Sequence, residues 1–155
     1  MSDFLIRPIS SELLEQLQSG LSSLNGNPVN SVLADAKPGY PCRLSLQDAE
    51  PGEELFLVSY SPFSKANPYR ETGPVFIRKN GRVADLEINQ LPAIVRSRQV
   101  VVRAYDATGT LVAAEPSQGN EASHQIQQFL ADPGVEFVHI RAAITGCFLC
   151  EARRP

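Results

Sequence analysis

Tryptophan is absent from this chain, and methionine, histidine, cysteine and lysine number only one, two, three and three among its 155 residues. So few imidazoles and thiols bound the metal chemistry. A four-ligand zinc site would have to draw on Cys42, Cys147, Cys150, His124 and His139. An odd cysteine count in a reducing compartment is no disulfide framework, which leaves free thiols or metal ligands. The start, MSDFLIRPIS, has no basic stretch followed by an apolar one, and no apolar run approaches the roughly 20 residues that span a bilayer. A cytoplasmic protein without a membrane partner is expected. Positive charge is also short: the net charge is −3, and no basic tract exceeds Arg153-Arg154, so the footprint of a nucleic-acid binder is missing. No internal repeat, phosphate-cradling glycine loop, paired-carboxylate motif or nucleophile with a recognisable base stands in the sequence.

What is present suits one globular domain over residues 1–155. Hydrophobic residues make up 43% of the chain, enough to bury a core without staples. Eleven of the fourteen basic residues are arginine, whose planar fork matches carboxylates and phosphates; a genomic coding bias would produce the same excess.

Ser10 is placed to cap a helix with Glu12 in its first turn and Ile9 stapled to Leu14; Leu13, Leu14, Leu17, Leu21 and Leu24 then share one face, up to Asn25-Gly26-Asn27-Pro28. Period two in Cys42-Arg43-Leu44-Ser45-Leu46 predicts a strand with Cys42, Leu44 and Leu46 inward. Glu54 to Tyr60 and Val75 to Arg78 read as strands around a long loop from Ser61 to Pro74, and long unstructured loops are often functional. Residues 81–97 carry no clean period beyond a short helical turn around Pro92. The clearest hairpin joins Gln99–Tyr105 to Thr110–Ala114 through Asp106-Ala107-Thr108-Gly109. Pro116 to Asn120 breaks the pattern ahead of a helix over Glu121–Ala131, with Ile126, Phe129 and Leu130 inward. Strands over Val135–Ile144 and Cys147–Arg153 complete the chain. The order predicts an α+β fold with a mainly antiparallel sheet, an N-terminal helix and a second helix before the last strands.

The string TGCFLCEARR holds the one short motif with a chemical repertoire, Cys147-Phe148-Leu149-Cys150. Thioredoxin chemistry needs a helix after the first cysteine, and only five residues follow Cys150. Zinc held by Cys42, His139, Cys147 and Cys150 is chemically reasonable, but an extended stretch points Cys147 and Cys150 to opposite faces. The simplest reading places Cys150 with Phe148 and Ala152 on a core face and Cys42 in the core, leaving Cys147, beside Gly146, as a pocket thiol.

Alternation puts Val138, Ile140, Ala142 and Ile144 on one face of the penultimate strand and Phe137, His139, Arg141 and Ala143 on the other. In the Gln99–Tyr105 strand it separates Val100, Val102 and Ala104 from Val101, Arg103 and Tyr105. If the polar faces coincide, Arg103, Tyr105, His139 and Arg141 converge, giving guanidinium forks, a phenol and an imidazole that exchanges protons near neutrality. Tyr69 and Arg70 in the long loop could join them. A solvated outer sheet face would show the same alternation.

The strings PGYPCRLSLQDAEPGEELFLVSY, NPYRETGPVFIR, VVRAYDATG and VHIRAAITGCFLC together resemble a family of small bacterial proteins of unknown function, from about Asp35 to Cys150. The resemblance implies a bacterial cytosolic source and names no reaction. The family pattern marks Pro41, Cys42, Arg43, Asp48, Tyr69, Arg70, Arg103, Tyr105, His139, Arg141, Gly146, Cys147 and Cys150 among others. Ala142-Ala143 departs from it, standing where the family often carries an Arg-Asn-Ala run. The function expected is binding of a small anion by Arg70, Arg103, Arg141 and Tyr69, with His139, Tyr105 and Cys147 as the catalytic set should the protein be an enzyme. No cofactor is called for, and an oligomer is left open. The alternatives are a noncatalytic protein-interaction domain and a zinc-stabilised one.

Overall fold

A computed structural model describes residues 1–155. Its largest sheet has five antiparallel strands in the order β1 (Leu5–Arg7), β10 (Phe148–Arg153), β9 (Phe137–Ala142), β7 (Gln99–Tyr105), β8 (Leu111–Gln118). A second antiparallel sheet holds β4 (Asn30–Leu33), β5 (Glu54–Tyr60) and β6 (Gly73–Arg78). The helices are α1 (Ser11–Gln18), the single turn α2 (Ala93–Arg96) and α3 (Ala122–Leu130). The α+β class and the two expected helices are therefore present. No helix is long and apolar enough to cross a membrane.

The Ser10 hydroxyl accepts the Glu12 N–H at 3.2 Å and starts α1 as its sequence dictates. The helix stops earlier than its leucine spacing predicts. Gly20 adopts φ +100°, and the chain then folds back as the hairpin of β2 (Ser23–Leu24) and β3 (Asn27–Pro28). Asn25 and Gly26 at its tip have φ of 50° and 81°, the positive pair that a type I′ turn demands and Asn-Gly supplies. Leu21 and Leu24 still pack against the cluster containing Leu14, Leu17 and Val58, though from the connecting segment and the hairpin and not from a helix face.

The strand expected at Cys42–Leu46 is also corrected. Cys42 makes one isolated bridge to Phe76, and the chain turns at once, with the Leu46 N–H returning to the Cys42 carbonyl at 2.9 Å and Leu46 itself at φ +57°. Cys42, Leu44 and Leu46 are buried as expected, but so is Arg43 between them, because a turn does not alternate. Pro116 does not end β8: it lies on the sheet's edge strand, where a missing N–H costs no ladder bond.

The main core lies between α3 and one face of the large sheet. Ile126 and Leu130 meet Val100, Val102, Val138 and Ile140 there. Arg154 donates from Nη1 to the Leu130 carbonyl at 2.7 Å, satisfying an otherwise open group at the helix C-terminus.

Candidate functional site

Register brings the expected stripe together. Arg103 lies opposite His139, Tyr105 opposite Phe137, and Val101 opposite Arg141. From β10, Glu151 faces His139 and Phe148 faces Arg141. The pairing shifts between Phe148 and Cys150, so Phe148 leaves the face shared by Cys150 and Ala152 on which alternation had placed it. The bulge swings its ring onto the opposite side, 5.0 Å from the His139 ring centroid.

This second face is not solvated. His139 is 0% exposed, and the rings of Phe63, Tyr105, Phe137 and Phe148 lie 4.9–5.1 Å from its centroid. Its Nε2 lies 3.1 Å from Glu151 Oε1, whereas Nδ1 is buried with no hydrogen-bond partner. The arrangement fits the neutral tautomer that donates from Nε2 to the carboxylate. Burial lowers the imidazole's pKa, opposed by Glu151 and assisted by the nearby positive charges of Arg141 and Arg153. Although burial alone would raise the Glu151 pKa, hydrogen bonds from His139 and from Arg153 Nε, at 2.8 Å, bring it below the ordinary value. The expected acid/base group is thus enclosed, as is Tyr105, stacked on Phe137 at 5.1 Å.

Arg141 stands at the margin of this enclosure, 7% exposed. Nη1 donates to the Gly146 carbonyl at 3.1 Å, and Nη2 touches the Glu71 carboxylate in an ion pair that lacks hydrogen-bond angles. Nε is buried without an acceptor. Arg103 Nη1 is 3.8 Å from the same Glu71 oxygen, so one carboxylate serves two guanidiniums. Beside them lies a cleft of about 190 Å3 bounded by Tyr60, Glu71, Arg141 and Cys147.

Glu71 arrives on the loop between β5 and β6. Asn67 ties that loop down, donating from Nδ2 to the Thr108 carbonyl at 3.0 Å and to Thr110 Oγ1 at 3.1 Å. Its Oδ1 accepts the Tyr69 N–H at 2.8 Å, and its carbonyl accepts the Arg70 N–H at 2.8 Å. The Tyr69 and Arg70 side chains nevertheless remain exposed and line none of the major clefts. The structure sets Arg141 and Cys147 on one open cleft, links Arg103 to it only through Glu71, encloses Tyr105 and His139 on the same sheet face, and leaves Tyr69 and Arg70 outside.

The zinc set does not assemble. No group of three or more His, Cys, Asp and Glu side chains is gathered. Cys42 Sγ accepts N–H bonds from Ser45 at 3.4 Å and Arg78 at 3.3 Å. Cys150 belongs to the apolar core, where burial raises its pKa far above the usual thiol range.

Sequence reasoning missed Glu71 and Glu151, and it reached Arg43 only through the family pattern, with no role attached. Cross-strand pairing with His139 was the available signal for Glu151. Glu71 is adjacent to Arg70 in sequence, and nothing local marks it as the carboxylate that meets Arg103 and Arg141.

Residues 39–154 match a family described as "Protein of unknown function (DUF1203)". The chain belongs to this family. No curated protein and no solved structure matches the chain. For this DUF1203 member the geometry of the site therefore carries the functional reading. Seven of its arginines, including Arg43, Arg78, Arg98 and Arg154, spend their forks on backbone carbonyls or internal carboxylates.

Proposed function

We propose that the protein binds a small anionic molecule at Arg141 and Arg103, with Glu71 occupying the anion's place in the unliganded chain. One observation carries this reading. The Glu71 side chain, 47% exposed on a loop, contacts both guanidiniums, while buried Arg141 retains an Nε without an acceptor. An incoming carboxylate or phosphate oxygen would answer that donor, which Glu71 does not reach, and strong charge-assisted bonding would favour the exchange.

Arg141 is the clamp and Arg103 the second charge. Cys147 bounds the cleft on the side of Gly146. His139 and Tyr105 are enclosed on the same sheet face without lining the cleft, and binding requires no proton transfer through them. Arg70 and Tyr69 reach the anion only if the departure of Glu71 carries their loop with it.

Calorimetric titration with succinate, citrate and inorganic phosphate tests this. Glu71→Gln removes the internal competitor and should tighten binding by a factor of about 3 to 5, equivalent to about 1 kcal/mol or less. Arg141→Met should abolish binding in either background. If none of the three anions binds the Glu71→Gln protein more tightly than wild type, the site is not theirs.

A further inference from the structure

Cys147 and Thr145 also border a second, larger cleft of about 460 Å3, within the usual range for small-molecule sites. Phe76, Ile144 and Leu149 provide much of its apolar wall. Ile144 is 90% exposed, so a large apolar side chain borders the cleft with nothing over it.

Two arginines line this cleft, and they differ. Arg98 already has a carboxylate: its Nη2 and Nη1 donate to Asp48 at 2.6 and 3.2 Å, and Nη1 also reaches the Ile94 carbonyl at 2.7 Å. Arg43 is 3% exposed and has no carboxylate within 4.0 Å. Nε donates to the Phe148 carbonyl at 2.8 Å and Nη1 to the Pro41 carbonyl, while Nη2 donates to nothing in the chain. Burial lowers its pKa to about 10, which still leaves it charged at neutral pH. A buried charge hydrogen-bonded only to neutral carbonyls, with the nearby Asp48 carboxylate committed to Arg98, is a costly arrangement without an anion.

We propose that this cleft is a second binding site, for an amphipathic carboxylate whose head pairs with Nη2 of Arg43 and whose apolar chain covers Phe76, Ile144 and Leu149. The head and body follow from separate features. Unanswered positive charge selects the anion, and the apolar wall selects a hydrocarbon over a small hydrophilic acid. Arg141 does not line this cleft, although Thr145 and Cys147 border both.

Cys147 provides the readout, because Cys42 and Cys150 are buried and Cys147 is not. Native protein is treated with iodoacetamide, an uncharged reagent, and carboxamidomethylation of Cys147 is followed by mass spectrometry with octanoate, acetate or 1-octanol present. Octanoate at about ten times its dissociation constant should slow the reaction about tenfold. Acetate lacks the chain and 1-octanol the charge, so both should protect far less at equal concentration. Arg43→Lys, which keeps charge but loses the fork, should weaken octanoate protection, as should Ile144→Glu, which sets a repelling carboxylate at an exposed position. Glu71→Gln, which frees the Arg141 clamp without touching the bond from Arg141 to the Gly146 carbonyl, should leave it unchanged, separating this site from the one proposed above. Octanoate protecting no better than acetate overturns the proposal, as does undiminished protection in folded Arg43→Lys. If Arg43→Lys does not fold, Ile144→Glu decides: weakened protection supports the site and unchanged protection overturns it. Stronger octanoate protection in Glu71→Gln also overturns it, by moving the ligand to the other cleft.

Discussion

The two faces of β9 are both buried, yet by different means. Val138 and Ile140 point into an 18-residue apolar cluster, where α3 covers them and any side chain of similar volume and shape would serve. Phe137, His139 and Arg141 point the other way and are covered by Phe63 from the long loop, the bulged Phe148 and, for Arg141, Glu71. Each polar atom on this face needs a particular answer, because removing it from water without a partner is costly. Glu151 answers His139 Nε2 and Gly146 answers Arg141 Nη1, while His139 Nδ1 and Arg141 Nε go unanswered. The apolar face is complete within the chain; the polar face has donor and acceptor capacity left over, which is what a ligand can use.

The largest expected effect comes from breaking the apolar face at Gly119, where β8 passes into α3. A Cβ there would stand 1.7 Å from the Val95 carbonyl oxygen and 2.5 Å from that of Arg98. Backbone cannot yield as a side-chain tip does, so Gly119→Ala must move α3 or break the 2.7 Å bond from the Gly119 N–H to Arg98. Unfolding in urea should show a loss above about 3 kcal/mol, in the range of severe overpacking. A loss below about 1 kcal/mol would mean that this seam is slack and that packing does not fix the apolar face as described.

That face was legible in the sequence. Alternation in β7 and β9 assigned Val100, Val102, Val138 and Ile140 inward, and the spacing of Ile126 and Leu130 supplied their partner helix. Alternation also brought Arg103, Tyr105, His139 and Arg141 to one side of the sheet. What it could not supply was the covering layer. Nothing in a period of two announces a bulge at Phe148, nor a loop anchored 41 and 43 residues ahead in sequence, through Asn67 on Thr108 and Thr110. Arg43 was hidden for a related reason: between Cys42 and Leu44 it occupies the outward place in a strand, but the chain turns there and all three are buried.

The next effect separates the faces by pH. Native His139 has a pKa below its ordinary value of about 6.5. The unfolded chain therefore takes up the proton first, and native stability is full above about pH 6.5 and falls as pH drops toward the native pKa. Glu151, whose native pKa is also lowered, keeps its contribution above its ordinary value near 4.5 and loses it below. Between about pH 6.5 and 4.5 the His139 contribution is thus separated from that of Glu151. The melting temperature of wild type should decline across this window. His139→Phe, which extends the aromatic enclosure, should flatten that decline while costing about 1–2 kcal/mol at pH 7.5 through the donor lost to Glu151. His124→Gln, on the exposed side of α3, should leave the wild-type profile intact. A decline that survives His139→Phe would show that the enclosed imidazole is not the group being protonated.

The smallest expected effect is the most discriminating. Glu71 belongs to the polar face by contact, but it is half exposed, and such ion pairs contribute about 0–1 kcal/mol. Glu71→Gln should accordingly change the free energy of unfolding by less than about 1 kcal/mol at moderate salt. Arg141 stays bonded to Gly146, and the loop stays held by Asn67, so neither support depends on the lost charge. A loss of about 2 kcal/mol or more would place Glu71 among the groups that the polar face needs in order to stay folded. It would then be a fixed partner of Arg141, and a ligand would have to unmake part of the fold to take its place. A near-zero loss together with tighter succinate, citrate or phosphate binding would instead mark Glu71 as the movable member of an otherwise rigid site.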